Sequence, residues 1–529
     1  MDNSIKAAIE AGQLTLGLEL GSTQIKVELL TAHLTPVATG AYGWTNTLAD
    51  GHWTYSLDQV WVGIQAAYAD LAARVKAQYG VPITQIKAIG ISAMMHGYLA
   101  FDADDQLLTP FRTWRDNTTG QAAEQLSQLF HFNIPQRWSV AHLYQAILNG
   151  EHHVNQIAFM TTLAGYVHWQ LSGQKVIGIG DASGMFPIDP ATDQYDAMKL
   201  VSFDTLPAVQ AHHLQLRQIL PEPLLAGTPA GHLSEAGAAR LDPSGALQPG
   251  AVMAPPEGDA GTGMVATNSV AVNSGNISVG TSAFTMTVLP ELPDSWDPAI
   301  DIVATPTGQP VAMVHANNCS SDLNAWINLM GDAIAAVTGE TPDDLYQRLF
   351  AAVPKADADL GGLLAFANVS GENITQVDQG RPIQVRTSST QITLANFMAT
   401  QLDAAFAPLA VGMEKLHELV TLKESTMVAQ GGLFKTPKIA QQVLANALDL
   451  PITVMTNASV GGPFGMAVLA QFTAVGGGDL AEYLQSEVFK QTTATTLAPE
   501  PSGRAAYQHF LARYKKALPL ARQAGSLVD

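Results

Sequence analysis

Glu19 stands inside an apolar run, Leu16-Gly17-Leu18-Glu19-Leu20, and Gly21-Ser22-Thr23 follows it. A carboxylate within a strand is costly unless it is paired or holds a metal. Gly21 lets the backbone turn closely, and the amides and hydroxyls of Ser22 and Thr23 can hold phosphate oxygens. The segment reads either as a phosphate loop with a carboxylate near Mg²⁺ or as a β-hairpin with an edge glutamate. On these residues alone the hairpin is the commoner case. Gly280-Thr281-Ser282 offers a second set of amides and hydroxyls. Two such turns, one per half of the chain, fit a cleft that clamps a polyphosphate from both sides.

Gly258-Asp259 lies among glycines, where an acid can approach a substrate with little steric screening. Asp259 is a candidate general base, although a turn aspartate is the more frequent explanation of such a residue. Met94-Met95-His96-Gly97 ends an apolar segment and reads as a substrate loop at a strand end or as a histidine satisfied in a turn. Trp114-Arg115-Asp116 could form a sugar wall with polar groups beside it, or an ordinary packed tryptophan.

The elements that must hold these residues follow from hydrophobic period. Residues 14–20 and 25–30 read as strands around Gly21-Ser22-Thr23. Ser56 and Gln59 form a capping box, Val60, Trp61, Ile64, Tyr68, Leu71 and Val75 recur at helical spacing, and Gly80 ends the helix. A strand at 86–91 follows, so the order βββ-α-β points to a mixed α/β sheet. The pattern returns at 276–279 and 283–289, strands flanking Gly280-Thr281-Ser282. That self-similarity predicts two related domains with a boundary near residue 270. A long helix at 394–420 comes next, then a strand at 426–429 running into Gly431-Gly432. A helix capped by Thr436 and started by Pro437, a strand at 452–455 and a helix opening at Gly462-Pro463 complete the half.

The chain has 529 residues, a formal charge of −20, 47% hydrophobic and 14% charged residues. Disorder is excluded, since it needs low hydrophobicity and high charge. The acidic balance argues against nucleic-acid or anionic-membrane partners, whose phosphates need a basic patch. Cys319 is the only cysteine, so neither an intrachain disulfide nor a multi-cysteine zinc site can form. The N-terminus lacks a signal-peptide pattern and no apolar run reaches membrane-span length, so a cytoplasmic protein is expected.

Taken in order, these segments resemble the FGGY carbohydrate kinases of the actin/hexokinase/Hsp70 superfamily. Residues 17–23 look like the family's first phosphate motif, and Met95-His96-Gly97 like the Met-His-Gly element of its xylulokinase members. Trp114-Arg115-Asp116 resembles the family's Trp-Asn-Asp, and Asp181-Ala182-Ser183-Gly184 its Asp-Ala-Ser-Gly stretch. Gly258-Asp259 is similar to the segment that carries the base, and Val279-Gly280-Thr281-Ser282 to the second phosphate motif. Ser370-Gly371-Glu372-Asn373, Gln430-Gly431-Gly432 and Gly462-Pro463-Phe464-Gly465 resemble the later motifs, the last two associated with adenosine. The departures are Glu19 for Asp, Ala260 and Arg115 each for Asn, Gly165 for Asp and Gln430 for Gly.

The resemblance implies two ribonuclease-H-like α/β domains, 1–270 and 271–529, around a cleft for ATP and a sugar. It implies Asp259 as base and Glu19 as the residue organising Mg²⁺. Ser22, Thr23, Gly280 and Thr281 would hold the phosphates. Gly431, Gly432 and Phe464 would line the adenosine, and Met95, His96, Trp114 and Arg115 the sugar. The implied reaction is phosphorylation of a ketose by ATP, with D-xylulose first and L-ribulose or a related sugar or polyol as alternatives. A binding protein without transfer activity is the reading from another class. The implied partners are Mg-ATP and a small sugar, and a homodimer is compatible with them.

Overall fold

The computed structural model describes residues 3–422, 426–436, 438–455 and 461–527. Strands β1 (Leu14–Leu20), β2 (Gln24–Thr31) and β3 (Pro36–Gly43) form an antiparallel meander. Helix α1 (Leu57–Tyr79) crosses over to β4 (Ala88–Ala93), which lies parallel to β1 on its other side. The capping box at α1 is complete, with Ser56 Oγ accepting from the Gln59 N–H at 3.1 Å and Gln59 Oε1 accepting from the Ser56 N–H at 3.2 Å. Gly80 ends the helix in the left-handed conformation, at φ 76°. β5 (Val252–Met253) completes the path β5-β4-β1-β2-β3, and Glu257–Gly258 pairs with the far end of β4. Helix α2 (Asp259–Ala266) then leads out of the sheet.

The second sheet repeats the plan. β6 (Ser274–Val279), β7 (Ala283–Val288), β8 (Ile300–Ala304) and β9 (Pro310–Ala316) pair antiparallel. After helix α3 (Leu394–Leu419), β10 (Thr426–Gly431) runs parallel to β6, and β11 (Ile452–Met455) runs parallel to β10. Helix α4 (Gly462–Ala474) and the edge strand β12 (Ala494–Leu497) follow, giving the order β8-β9-β7-β6-β10-β11-β12. The twofold appearance of a strand, Gly-Ser/Thr turn and strand is thus the trace of two ribonuclease-H-like lobes.

α4 does not stay with the sheet that precedes it in sequence. It lies on β1 and β4, where Gly17 and Gly90 stand in register. A Cβ on Gly17 would overlap the Pro463 carbonyl, and one on Gly90 would overlap the Met466 side chain, so glycine is what permits this close approach. Gln471 Nε2 donates to the Ala32 carbonyl at 3.0 Å from the same helix. A division of the chain at residue 270 therefore assigns to the second domain a helix that packs on the first sheet.

Several expected boundaries move, two of them for a reason the backbone shows. β4 begins at Ala88 rather than 86, because its pairing partner on β1 starts at Thr15. The helix after Gly432 starts at Ile439 and not at Thr436-Pro437: Gly432–Lys435 form a 3₁₀ turn, and Lys438 has φ 71°, which blocks helix before it. Pro437 lies outside the described residues. Among the described residues no helix is long and apolar enough to cross a membrane.

Candidate active site

In the first sheet Glu19 stands opposite Ser92, and Ser92 opposite Glu257; one step on, Leu20 faces Ala93 and Ala93 faces Gly258. Gly21-Ser22-Thr23, Met94-Met95-His96 and Asp259 consequently leave the sheet side by side. They do so at the C-terminal ends of parallel strands, where ligand crevices of open α/β sheets form.

Asp259 is the first residue of α2. Its Oδ1 accepts the Met95 N–H at 3.1 Å, which ties the candidate base to the Met-His-Gly loop. The side chain is open to solvent, yet the surrounding walls desolvate it. That desolvation raises its pKa above the usual carboxylate value, and the N–H groups of Met95 and Ala260 oppose the rise. His96 is 4% exposed and holds φ 74°, with Nδ1 3.4 Å from the Gly184 carbonyl and its ring stacked toward Trp138. Burial, then the charge of Arg137, pushes the imidazole pKa well down, so His96 is neutral at pH 7.

The structure places Trp114 against the Gly21-Ser22-Thr23 turn, with Arg115 next to it in the chain. Trp114 Nε1 donates to Ser22 Oγ at 3.1 Å. Tyr55 Oη donates to the Ser22 carbonyl at 2.6 Å and Trp44 Nε1 to the Gly21 carbonyl at 2.7 Å, with the two rings stacked 4.1 Å apart. Arg115 lies over the Trp53 ring at 4.4 Å, and its Nη1 is 3.4 Å from Asn46 Oδ1. Asp116 is buried, accepts from the Thr118 amide and hydroxyl, and pairs with His52. Sequence reasoning missed Trp44 and Tyr55, because an aromatic residue beside a short hairpin has no spacing that separates it from core.

Glu19 is half-buried at the start of α4. A Cβ on Gly462 would overlap its carboxylate, so the glycine opens the space the longer side chain occupies. Burial first, and the charge of Asp259 second, raise its pKa to about 7, against the lowering by Lys26. Two carboxyl groups facing one cleft, each raised by burial, suit a divalent cation brought by a nucleotide. Among the described residues no group of three or more His, Cys, Asp or Glu could cage a metal. That fits Mg²⁺, which is usually held by one or two carboxylates, water and substrate phosphates.

Behind Asp259 lie two buried carboxyl groups. Glu257 accepts the N–H groups of Asp181 at 3.0 Å and Gly180 at 3.3 Å, and Asp181 Oδ2 accepts from Thr162 Oγ1 at 2.6 Å. Burial raises Glu257 well above the carboxylate range and Asp181 to about 7.

In the second sheet Gly431 is in register with Val279, so Gly280-Thr281 and Gly431-Gly432 are neighbours at adjacent strand ends. The loop is buttressed from below. Ser320 Oγ donates to the Gly280 carbonyl at 2.6 Å and the Cys319 N–H to the Thr281 carbonyl at 2.9 Å. The Asn318 N–H and Nδ2 both donate to Glu372 Oε2 at 3.1 Å, which gives the Ser370-Gly371-Glu372 stretch a task. A Cβ on Gly432 would meet open space and one on Gly280 only the Ser282 carbonyl at 3.9 Å, whereas Phe464 is only 7% exposed within the core around α4. Phe464 would serve an adenosine site as packing beneath it rather than as an open face.

Two α/β lobes each carry a Gly-Ser/Thr turn between their first two strands, and the first also carries the carboxylate of Asp259 anchored by Met95. Residues 14–222 match the N-terminal domain, and residues 275–474 the C-terminal domain, of the FGGY family of carbohydrate kinases. The chain belongs to this family, whose members are ATP-dependent sugar phosphotransferases. It is 23% identical over 522 residues to the xylulose kinase of Escherichia coli K12, covering 96% of this chain and 99% of that one. Solved structures of similar fold include the xyloylose kinase of Brucella ovis, with TM-score 0.78, 20% identity and coverage of 97% and 100%. The gluconate kinase of Lactobacillus acidophilus has TM-score 0.77, 18% identity and coverage of 97% and 99%.

Proposed function

We propose that this kinase phosphorylates a ketopentose, D-xylulose before L-ribulose, at a primary hydroxyl. The observation that carries the reading is the Met95 N–H to Asp259 bond of 3.1 Å, which joins the base to the Met-His-Gly loop. It is supported by the similarity to the Escherichia coli xylulose kinase. The division near residue 270 into a sugar-holding and a nucleotide-holding part belongs to the same reading, as does a cytoplasmic location.

Asp259 takes the hydroxyl proton on the oxygen that Met95 leaves free. The sugar oxygen then forms its bond to the γ-phosphorus as the bond from phosphorus to the bridging oxygen breaks, and ADP leaves with that electron pair. Neutral His96 gives or accepts a hydrogen bond to the sugar without adding charge, with Met95 and Trp114 as apolar walls. Ser22 and Thr23 hold the phosphates from one lobe, Gly280 and Thr281 from the other, and Gly431 and Gly432 let adenosine approach the backbone. Glu19 would help to hold Mg²⁺, which when bound would supply neutralisation of phosphate charge. Closing the lobes excludes water, which is a competing acceptor.

ADP formation with Mg-ATP and a panel of pentuloses, hexuloses, aldonates and glycerol tests this. D-Xylulose should give the highest kcat/KM. ADP release that no sugar stimulates would overturn the reading, and a preference for an aldonate would overturn the choice of substrate.

A further inference from the structure

Arg115 takes the place of an asparagine in the sugar motif, yet its side chain meets Trp53 and Asn46 on the segment that leads to the aromatic residues bonding the Gly21-Ser22-Thr23 turn. Trp114, next in the chain, donates to Ser22 Oγ. Tyr55, whose hydroxyl donates to the Ser22 carbonyl, lies close enough to feel the Arg115 charge. Asn46, 3.4 Å from the guanidinium, is two residues past Trp44, which bonds the Gly21 carbonyl and, through its own amide, the Thr23 carbonyl at 3.1 Å. Trp53 supports the guanidinium face at 4.4 Å, and its carbonyl accepts the Thr113 N–H at 3.0 Å. Among the described residues no carboxylate forms an ion pair with Arg115, and its side chain is exposed.

A guanidinium resting on an indole is held in place without being neutralised. Its donors remain available for an oxyanion. The proposed phosphate loop beside it has hydroxyls and amides, and Glu19 and Asp259, close enough to sense each other's charge, add negative charge. A phosphoryl group in flight spreads its charge over three equatorial oxygens, and a fixed cation is most useful at that moment.

We propose that Arg115 is a catalytic residue that stabilises the γ-phosphoryl group during transfer, rather than a wall of the sugar pocket. The proposal rests on the kinase reaction above but not on the identity of the sugar. As the sugar oxygen–phosphorus bond forms and the bridging bond breaks, the guanidinium donates to the equatorial oxygens, and no proton leaves it. Ground-state ATP, held by the two loops, gains less from it than the transition state does.

The test is calorimetry of the full chain with Mg-ADP, alone and with aluminium fluoride, which mimics the planar phosphoryl group. Arg115→Gln should weaken the fluoride complex roughly 10²-fold, the usual cost of one transition-state donor. The same substitution should leave Mg-ADP affinity within about twofold, since uniform binding would not separate the two. Arg115→Lys, which keeps charge without the fork, should lie between. In turnover, Arg115→Gln should lower kcat and leave the sugar KM in place. An equal gain from fluoride in the parent and Arg115→Gln, or none in the parent, would overturn the proposal. So would a raised sugar KM with unchanged kcat. The calorimetric arm contains no sugar, so a wrong choice of D-xylulose fails in the panel while this proposal stands or falls separately.

Discussion

Asp259 is the proposed base and Glu19 the proposed metal acid, and substitution separates their tasks. Asp259→Asn keeps the Met95 bond in shape and removes the base. Loss of general-base catalysis costs about 10²–10⁴-fold in rate. A steady-state assay should show that fall in kcat with little change in the ATP KM; turnover within a few-fold of the parent would remove Asp259 from the mechanism. Glu19→Gln should raise the Mg²⁺ concentration needed for half-maximal rate and lower kcat, with Glu19→Asp between the two. A Mg²⁺ titration that superimposes on the parent would mean that the ion is held without Glu19. At this scale the sequence was informative about residue type and poor about company. Asp259 and His96 stood out as an acid among glycines and a histidine at a strand end. That Met95 joins them is a matter of strand register, which no local pattern encodes. The contact of Trp114 with Ser22 joins residues far apart in the chain, which no local pattern encodes either.

The strand ends and the helices beneath them set the distances. Gly462 gives Glu19 room at the start of α4, so Gly462→Ala should displace that carboxylate. Overpacking of this kind costs about 1–3 kcal/mol, readable as a lower Tm, with a weakened Mg²⁺ response in the same variant. The Gly280-Thr281 turn depends on a longer chain of contacts, from Glu372 through Asn318 to the segment that bonds Gly280 and Thr281. Asn318→Ala removes the Nδ2 hydrogen bond to Glu372, worth about 1.5–3 kcal/mol, while the backbone N–H bond stays, and should raise the ATP KM more than the sugar KM. An unchanged ATP KM would detach this buttress from nucleotide binding. Elements were well legible where a local signal ends them, as at Ser56, Gly80 and Pro463. They were misread where the backbone alone decides: nothing in the residue type of Lys438 announces its φ of 71°.

For the molecule as a whole, buried ionisable groups set the dependence of stability on pH. His142, His168 and His315 have pKa values pushed down by burial, to about 3, 4 and 4. The unfolded chain binds their protons first, so they make stability rise with pH until the ordinary value of 6.5. Asp181 and Asp403 are raised by burial to about 7 and 8. The native state holds those protons longer, so they make stability fall as pH rises from near 4 through 8. Between pH 6.5 and 8 the histidine contribution has levelled off and the carboxyl contribution has not. Urea denaturation of the ligand-free protein should therefore give lower stability at pH 8 than at pH 6.5, and Asp403→Asn should reduce that decline. A stability that climbs steadily to pH 8 would contradict the burial of these acids.

The return of α4 to the first sheet has a consequence for how the protein comes into being. A ribosome releases β1 and β4 hundreds of residues before it releases the helix that covers them. Until residues 462–474 emerge, the face with Gly17 and Gly90 has no lid, and the nascent first lobe presents bare sheet to its surroundings. The segment 1–270, although it holds a complete sheet, should then bind chaperones or aggregate when synthesised alone, and adding residues 271–529 in trans should rescue it.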